Sequence, residues 1–118
     1  MILARAALLG LFALPASAQE VSQGTGALLR GLDKVTGDVT DFELRTGTST
    51  TFGRLTVELS ECRYPAGNPS GEAYAYLQIR ETDAGDMAFT GWMMASSPAL
   101  NALDHARYDI WVLRCKTS

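Results

Sequence analysis

Residues 52–63 read FGRLTVELSECR, and their alternation decides the fold: Leu55, Val57 and Leu59 fall on one side of an extended chain, Arg54, Thr56, Glu58 and Ser60 on the other. A period of two with one apolar side predicts a strand that is half buried and half wet. The same logic extends outward. Residues 27–33 (ALLRGLD) and 39–45 flank a segment where Gly37 and Asp38 supply turn chemistry, so they predict a hairpin. Residues 46–51, rich in Thr, Ser and Gly, read as a further turn. Residues 64–71 hold Pro65, Gly67, Asn68, Pro69, Ser70 and Gly71, which no regular element tolerates, and read as a surface loop.

Residues 72–81 again alternate, with Ala73, Ala75, Leu77 and Ile79 on one face and Tyr74, Tyr76, Gln78 and Arg80 on the other. Residues 82–86 read as an acidic turn, and 87–94 (MAFTGWMM) as a returning strand with Gly91 at a bulge. Ser96-Ser97-Pro98 has the pattern of a helix N-cap followed by Pro at the first helical position, and Ala99, Leu100 and Leu103 continue it for one or two turns. Residues 108–116 (YDIWVLRCK) are apolar on both faces and read as a central strand. The expectation is an all-β fold: a small single-domain antiparallel β-sandwich or partly open barrel of about six strands, with one short helical turn and one disulfide.

The segment before this pattern is of another kind. Fourteen of residues 1–18 are apolar, against 41 of the following 100. A lone Arg5, an apolar run over 6–14, Pro15 and then Ala16-Ser17-Ala18 form the pattern a signal peptidase reads. Residues 1–18 are therefore read as a cleaved signal peptide, 19–26 as a flexible lead-in and 27–118 as the β domain. The apolar run is short for a bilayer, no second one follows, and no Cys stands at the cleavage point to carry a lipid. The mature chain is expected in the periplasm, without a membrane span.

Cys62 and Cys115 are the two cysteines, and an even count in an exported chain predicts a disulfide between them. A zinc site needs three or four ligands, and one His with no CxxC does not supply them. A redox dithiol places its thiols two residues apart. No metal and no cofactor are expected. Without Arg5 the mature chain holds nine Lys plus Arg against 13 Asp plus Glu, a net charge of −4. Scattered cations on an acidic chain argue against nucleic acid as a partner.

Three constellations carry possible chemistry. Ser96, Ser97, Asp104, His105 and Asp109 supply the residue types of a nucleophilic triad, but there is no GxSxG elbow and the serines fit a helix cap. The carboxylate pairs Glu58 with Glu61 and Asp83 with Asp86 are better read as a wet strand face and a turn. No catalytic residue is assigned, and the chain is read as not an enzyme. The aromatics remain. Tyr74 and Tyr76, with a tryptophan, would suit a ligand, because flat amphipathic rings give contact area at low entropic cost. In Trp92-Met93-Met94, three large apolar residues in succession cannot all face one interior, so at least one is expected outward.

The segments LRGLDKVTG (29–37), FGRLTVELSECRYP (52–65), AYAYLQI (73–79) and above all FTGWMMASSPALNALDHARYDIWVLRC (89–115) resemble a family of small exported bacterial proteins catalogued as a domain of unknown function. The resemblance covers nearly the whole mature chain. It implies no active site, cofactor or substrate. It does imply a link to bacteria whose respiratory NADH:quinone oxidoreductase (complex I) resembles the mitochondrial enzyme, and to a gene position beside an accessory subunit of that complex. The reading is a non-catalytic periplasmic protein-binding domain, an accessory subunit or assembly factor docked on complex I. Its expected partner surface is Trp92, Met93, Met94, Pro98, Leu100 and His105. The alternative is a glycan or small-ligand module of the cell envelope, using Tyr74 and Tyr76.

Overall fold

The computed structural model describes residues 20–118, so the segment read as a signal peptide lies outside the described residues. Eight strands follow one another: β1 (Val21–Gln23), β2 (Gly26–Asp33), β3 (Val39–Arg45), β4 (Thr48–Phe52), β5 (Leu55–Pro65), β6 (Tyr74–Glu81), β7 (Met87–Met94) and β8 (Tyr108–Lys116). They form two antiparallel sheets. One has the order β1-β5-β6-β7, with β4 also paired to β5; the other has the order β3-β2-β8. The sheets face each other as an open sandwich, as the alternation of residues 55–59 and 73–79 requires. The alternating strands turn their apolar sides to the other sheet, which removes those sides from water. Leu55, Val57, Leu59, Leu77 and Ile79 from one sheet meet Ala27, Leu29, Leu44, Ile110 and Val112 from the other in one buried cluster.

The two sheets are stitched by the Cys62–Cys115 disulfide. Strict alternation would have denied it. Leu59 points inward, so Cys62, three residues on, should point outward. A register shift between Leu59 and Glu61 inserts Ser60 as an extra residue in β5 and restores the inward phase. In β8 a second shift, opposite Leu28 and Leu29, inserts Leu113 and turns Cys115 to the same side as Val112. Both sulfurs reach the interior through a bulge, and both cysteines are buried.

Five local readings are corrected. Residues 19–26 were expected to be a flexible lead-in, but Val21–Gln23 is a strand on the edge of β5; three residues are too few to show a period. Residues 46–51 are not all turn: Gly47 (φ 83°) completes a tight turn and Thr48–Phe52 then pairs with β5. Its β-branched threonines suit an exposed edge strand even without apolar alternation. The short helix expected after Ser97 is absent, and residues 95–107 form a crossover of turns, pinned by Leu103, which is buried. Finally, β8 is not central: it pairs with β2 alone and stands at the edge of its sheet. The second apolar face of β8 is half-buried, and Trp111 lines a groove together with Pro98, Ala99 and Ala102 of the crossover. Gly91 marks no bulge either, since the register shift of β7 lies between Phe89 and Met87. Its missing side chain admits Asn101, whose amide nitrogen would sit 3.0 Å from a Cβ there.

At the Asp33 end of the sandwich, the Arg107 guanidinium donates to both carboxylate oxygens of Asp33. That bond, with the backbone N–H groups of Val35 and Thr36 and against a smaller opposing effect of burial, holds the Asp33 carboxyl down at about 2. A carboxylate depressed in the fold stabilises it above the unfolded value, and the contribution is lost as pH falls through the folded one. Stability should therefore fall between about pH 4 and pH 2, and Asp33→Asn should flatten that part of the curve. Urea midpoints measured across this window for both proteins check it; identical slopes would rule it out.

Candidate functional site

The outer face of the larger sheet gathers the large side chains that alternation turns away from the core. On β6, Tyr74 and Tyr76 point outward. Their register partners on β7 are Met94 and Trp92, and on β5 Arg63 and Glu61. The rings of Tyr76 and Trp92 pack edge to face with centroids 5.2 Å apart, and the Arg63 guanidinium lies over the Trp92 ring at 4.9 Å. Arg63 is held there by Glu61 Oε1, which accepts from its Nε and Nη2 at 3.1 and 2.9 Å. Glu61 also accepts from the Gln23 amide on β1. The Arg63 bond, followed by that of Gln23, keeps the Glu61 carboxyl below the usual carboxylate range. Three strands thus fix one cation over one indole. Val21, Arg63, Tyr74 and Trp92 line a shallow, open cleft of about 220 Å³ beside this stack.

The residues expected at a partner surface are not one patch. Trp92 and Met94 lie half-buried on this face, while Met93, between them, points into the core with 1% of its surface exposed. Met93 is withdrawn from the surface, as the period of two demands of the middle residue of three. Pro98 and Leu100 stand exposed on the crossover, Leu100 at 72%. Pro98 lines the separate groove along Trp111. His105 lies at the far end of the crossover, half-buried and bonded to Glu81. Tyr74 and Tyr76, expected as a ligand pair, do share the face with Trp92.

Nothing assembles the triad. Ser96 donates through its hydroxyl and its backbone N–H to Glu72, just before β6, whereas His105 bonds Glu81 at the end of β6. The length of that strand, roughly 23 Å at 3.3 Å per residue, separates the two groups. Asp109 faces Lys34 at 3.9 Å. Among the described residues no polar or charged side chain is buried, and no three His, Cys, Asp or Glu converge as a metal would require. Arg63 is the residue that sequence reasoning missed. Its phase opposite Tyr74 follows only once the Ser60 bulge is known, because unbroken alternation would put it on the core side with Leu59.

A protein of Rickettsia prowazekii (strain Madrid E), described as uncharacterized protein RP359, is 25% identical over 99 residues, or 81% of this chain. The chain spans 64% of the length of that relative. No solved structure matches it. Residues 27–115, from the start of β2 to the second cysteine, match the family described as uncharacterized protein conserved in bacteria (DUF2155), and the chain belongs to that family.

Proposed function

We propose that this chain is an exported, non-catalytic protein-binding domain of the periplasm that docks through the outer face of the β1-β5-β6-β7 sheet. The observation that carries the reading is the company Trp92 keeps. Trp, Tyr, Met and Arg are the residue types enriched where proteins meet, and here Trp92, Tyr76, Tyr74, Met94 and Arg63 share one half-buried face. A guanidinium already locked on an indole loses little freedom on binding. The signal-peptide pattern read in residues 1–18 and the buried disulfide support an oxidising compartment. The partner is proposed to lie on the periplasmic side of the membrane, in the membrane arm of complex I, with this chain as an accessory subunit or assembly factor.

The test is recovery of partners from gently solubilised membranes of the native host with a tag after Ser118. Stoichiometric complex I subunits are the expected result; the domain alone in the soluble fraction would overturn the assignment. With a partner in hand, Trp92→Ala should weaken binding by on the order of 2 kcal/mol, about thirtyfold in Kd, while the domain stays folded with a midpoint lowered by the lost contacts to Tyr76 and Arg63. A second reading, a glycan or small-ligand module, is favoured by the cleft between Val21, Arg63, Tyr74 and Trp92. Titration of the purified domain with cell-wall glycans tests it through Trp92 fluorescence, and an unchanged spectrum across the panel would remove it.

A further inference from the structure

The His105 ring is bonded at both nitrogens, and its partners differ in kind. Nδ1 accepts the backbone N–H of Arg107 at 3.0 Å and of Tyr108 at 3.2 Å. Nε2 lies 2.7 Å from Glu81 Oε1. A nitrogen that accepts two N–H groups carries no proton, so the ring is neutral with its hydrogen on Nε2, donated to Glu81. The ring also packs on Tyr108, centroids 5.3 Å apart, and its side chain is 17% exposed. We propose that His105 is a proton-operated latch: neutral, it holds the crossover 95–107 against the end of β6 and the start of β8, and protonation at Nδ1 releases that corner.

The charged groups bonded at this corner bear on the direction of the effect. Glu81 of β6 touches the ring and favours its charged form, but its side chain is 36% exposed, where solvent screens the attraction. Lys34, from the β2–β3 turn, donates to the His105 carbonyl at 2.6 Å and faces Asp109 at 3.9 Å. Arg107 is occupied by Asp33. Against Glu81 stands a change of two bonds at once. A proton on Nδ1 turns an acceptor into a donor aimed at two other donors, and the N–H groups of Arg107 and Tyr108 lose their partner together. Histidine is the side chain that ordinarily makes this change near neutral pH.

The latch reaches beyond its own corner. Asn101, on the same crossover, donates its amide N–H to the Trp92 carbonyl at 2.8 Å, so release of the crossover would loosen the backbone behind the Trp92 face. That last step rests on the proposed docking role of the face; the latch itself does not.

Amide hydrogen exchange of the mature protein tests it without any partner. Protection factors of the Arg107 and Tyr108 amides, corrected for intrinsic rates, should drop at least about tenfold between roughly pH 7.5 and pH 5. His105→Asn supplies an acceptor oxygen to the same two N–H groups in the manner of an Asx turn and cannot take up the proton, so its protection should be flat with pH. Protection in the wild type that is unchanged or rises on acidification would overturn the latch, as would an equal drop in H105N. Should H105N fail to fold, imidazole nitrogen chemical shifts of the wild type decide: Nε2 alone protonated near neutrality supports the latch, and a proton on Nδ1 there ends it.

Discussion

Replacing Cys62 and Cys115 together by alanine is expected to lower the thermal midpoint of the mature domain by roughly 15–30 °C. The bond closes a loop between cysteines 53 positions apart, and in the chain-entropy account a loop of that size contributes about 4 kcal/mol. A domain of about 100 residues has only some 5–15 kcal/mol in total, and each kcal/mol moves its midpoint by about 4–8 °C. The position of the bond makes the loss hard to absorb. Strand β8 hydrogen-bonds to β2 alone, and β5 lies inside the opposite sheet, so the disulfide fastens an edge strand across the interior. Scanning calorimetry of the native protein and the double variant reads the difference. A drop under about 5 °C would mean that the apolar contacts between the sheets already fix β8 without the bond.

The disulfide also shows what the sequence makes legible. An even cysteine count paired Cys62 with Cys115, and the alternation of Leu55, Val57 and Leu59 placed β5 and its buried face. Neither reading alone is compatible with the other, because the cysteines sit on the wrong phase of their strands. The conflict is resolved by one inserted residue in each strand, Ser60 and Leu113. A bulge has no local signature when both inserted residues are ordinary strand formers, so its presence follows only from the tertiary constraint. The same shift explains why Arg63 went unseen at the aromatic face. Trp92-Met93-Met94 was legible as a conflict of period, and the outcome is the simple one: the middle residue goes in. The missing helix has a different cause. Capping residues at Ser96 and Pro98 were spent on turns, with Ser96 bonded to Glu72 across the end of β6, because a crossover of this length must span the open side of the sandwich to bring the chain to β8.

Gly26→Ala is expected to cost on the order of 3 kcal/mol, and Gly31→Ala markedly less, although both methyl groups would arrive equally close to a neighbour. A Cβ on Gly26 would lie 2.4 Å from the Leu44 carbonyl oxygen, and a Cβ on Gly31 would lie 2.4 Å from the Phe52 ring. What differs is how far each neighbour can yield. The Leu44 oxygen belongs to the backbone of β3, whose register with β2 pairs Gly26 with Arg45. It can retreat only if β3 moves off the central strand of its sheet and takes Leu44 out of the core. The Phe52 ring is the far end of a side chain on β4, half-buried, stacked on Phe42 at 5.7 Å and edge-on to Tyr108 at 5.6 Å. It can swing outward, giving up ring contacts worth about 1 kcal/mol. Urea unfolding of the wild type, the three single variants and the two double variants separates the two cases. Combining Gly31→Ala with Phe52→Ala should erase most of the Gly31→Ala penalty, a coupling of contacting residues. Gly26→Ala should keep its full penalty in the Phe52→Ala background, where no ring stands in the way. If Gly26→Ala falls within about 0.5 kcal/mol of the wild type, the β2–β3 pair can slide to admit a methyl group. The close approach of β3 to the central strand would then set neither the register of that sheet nor the depth of its core.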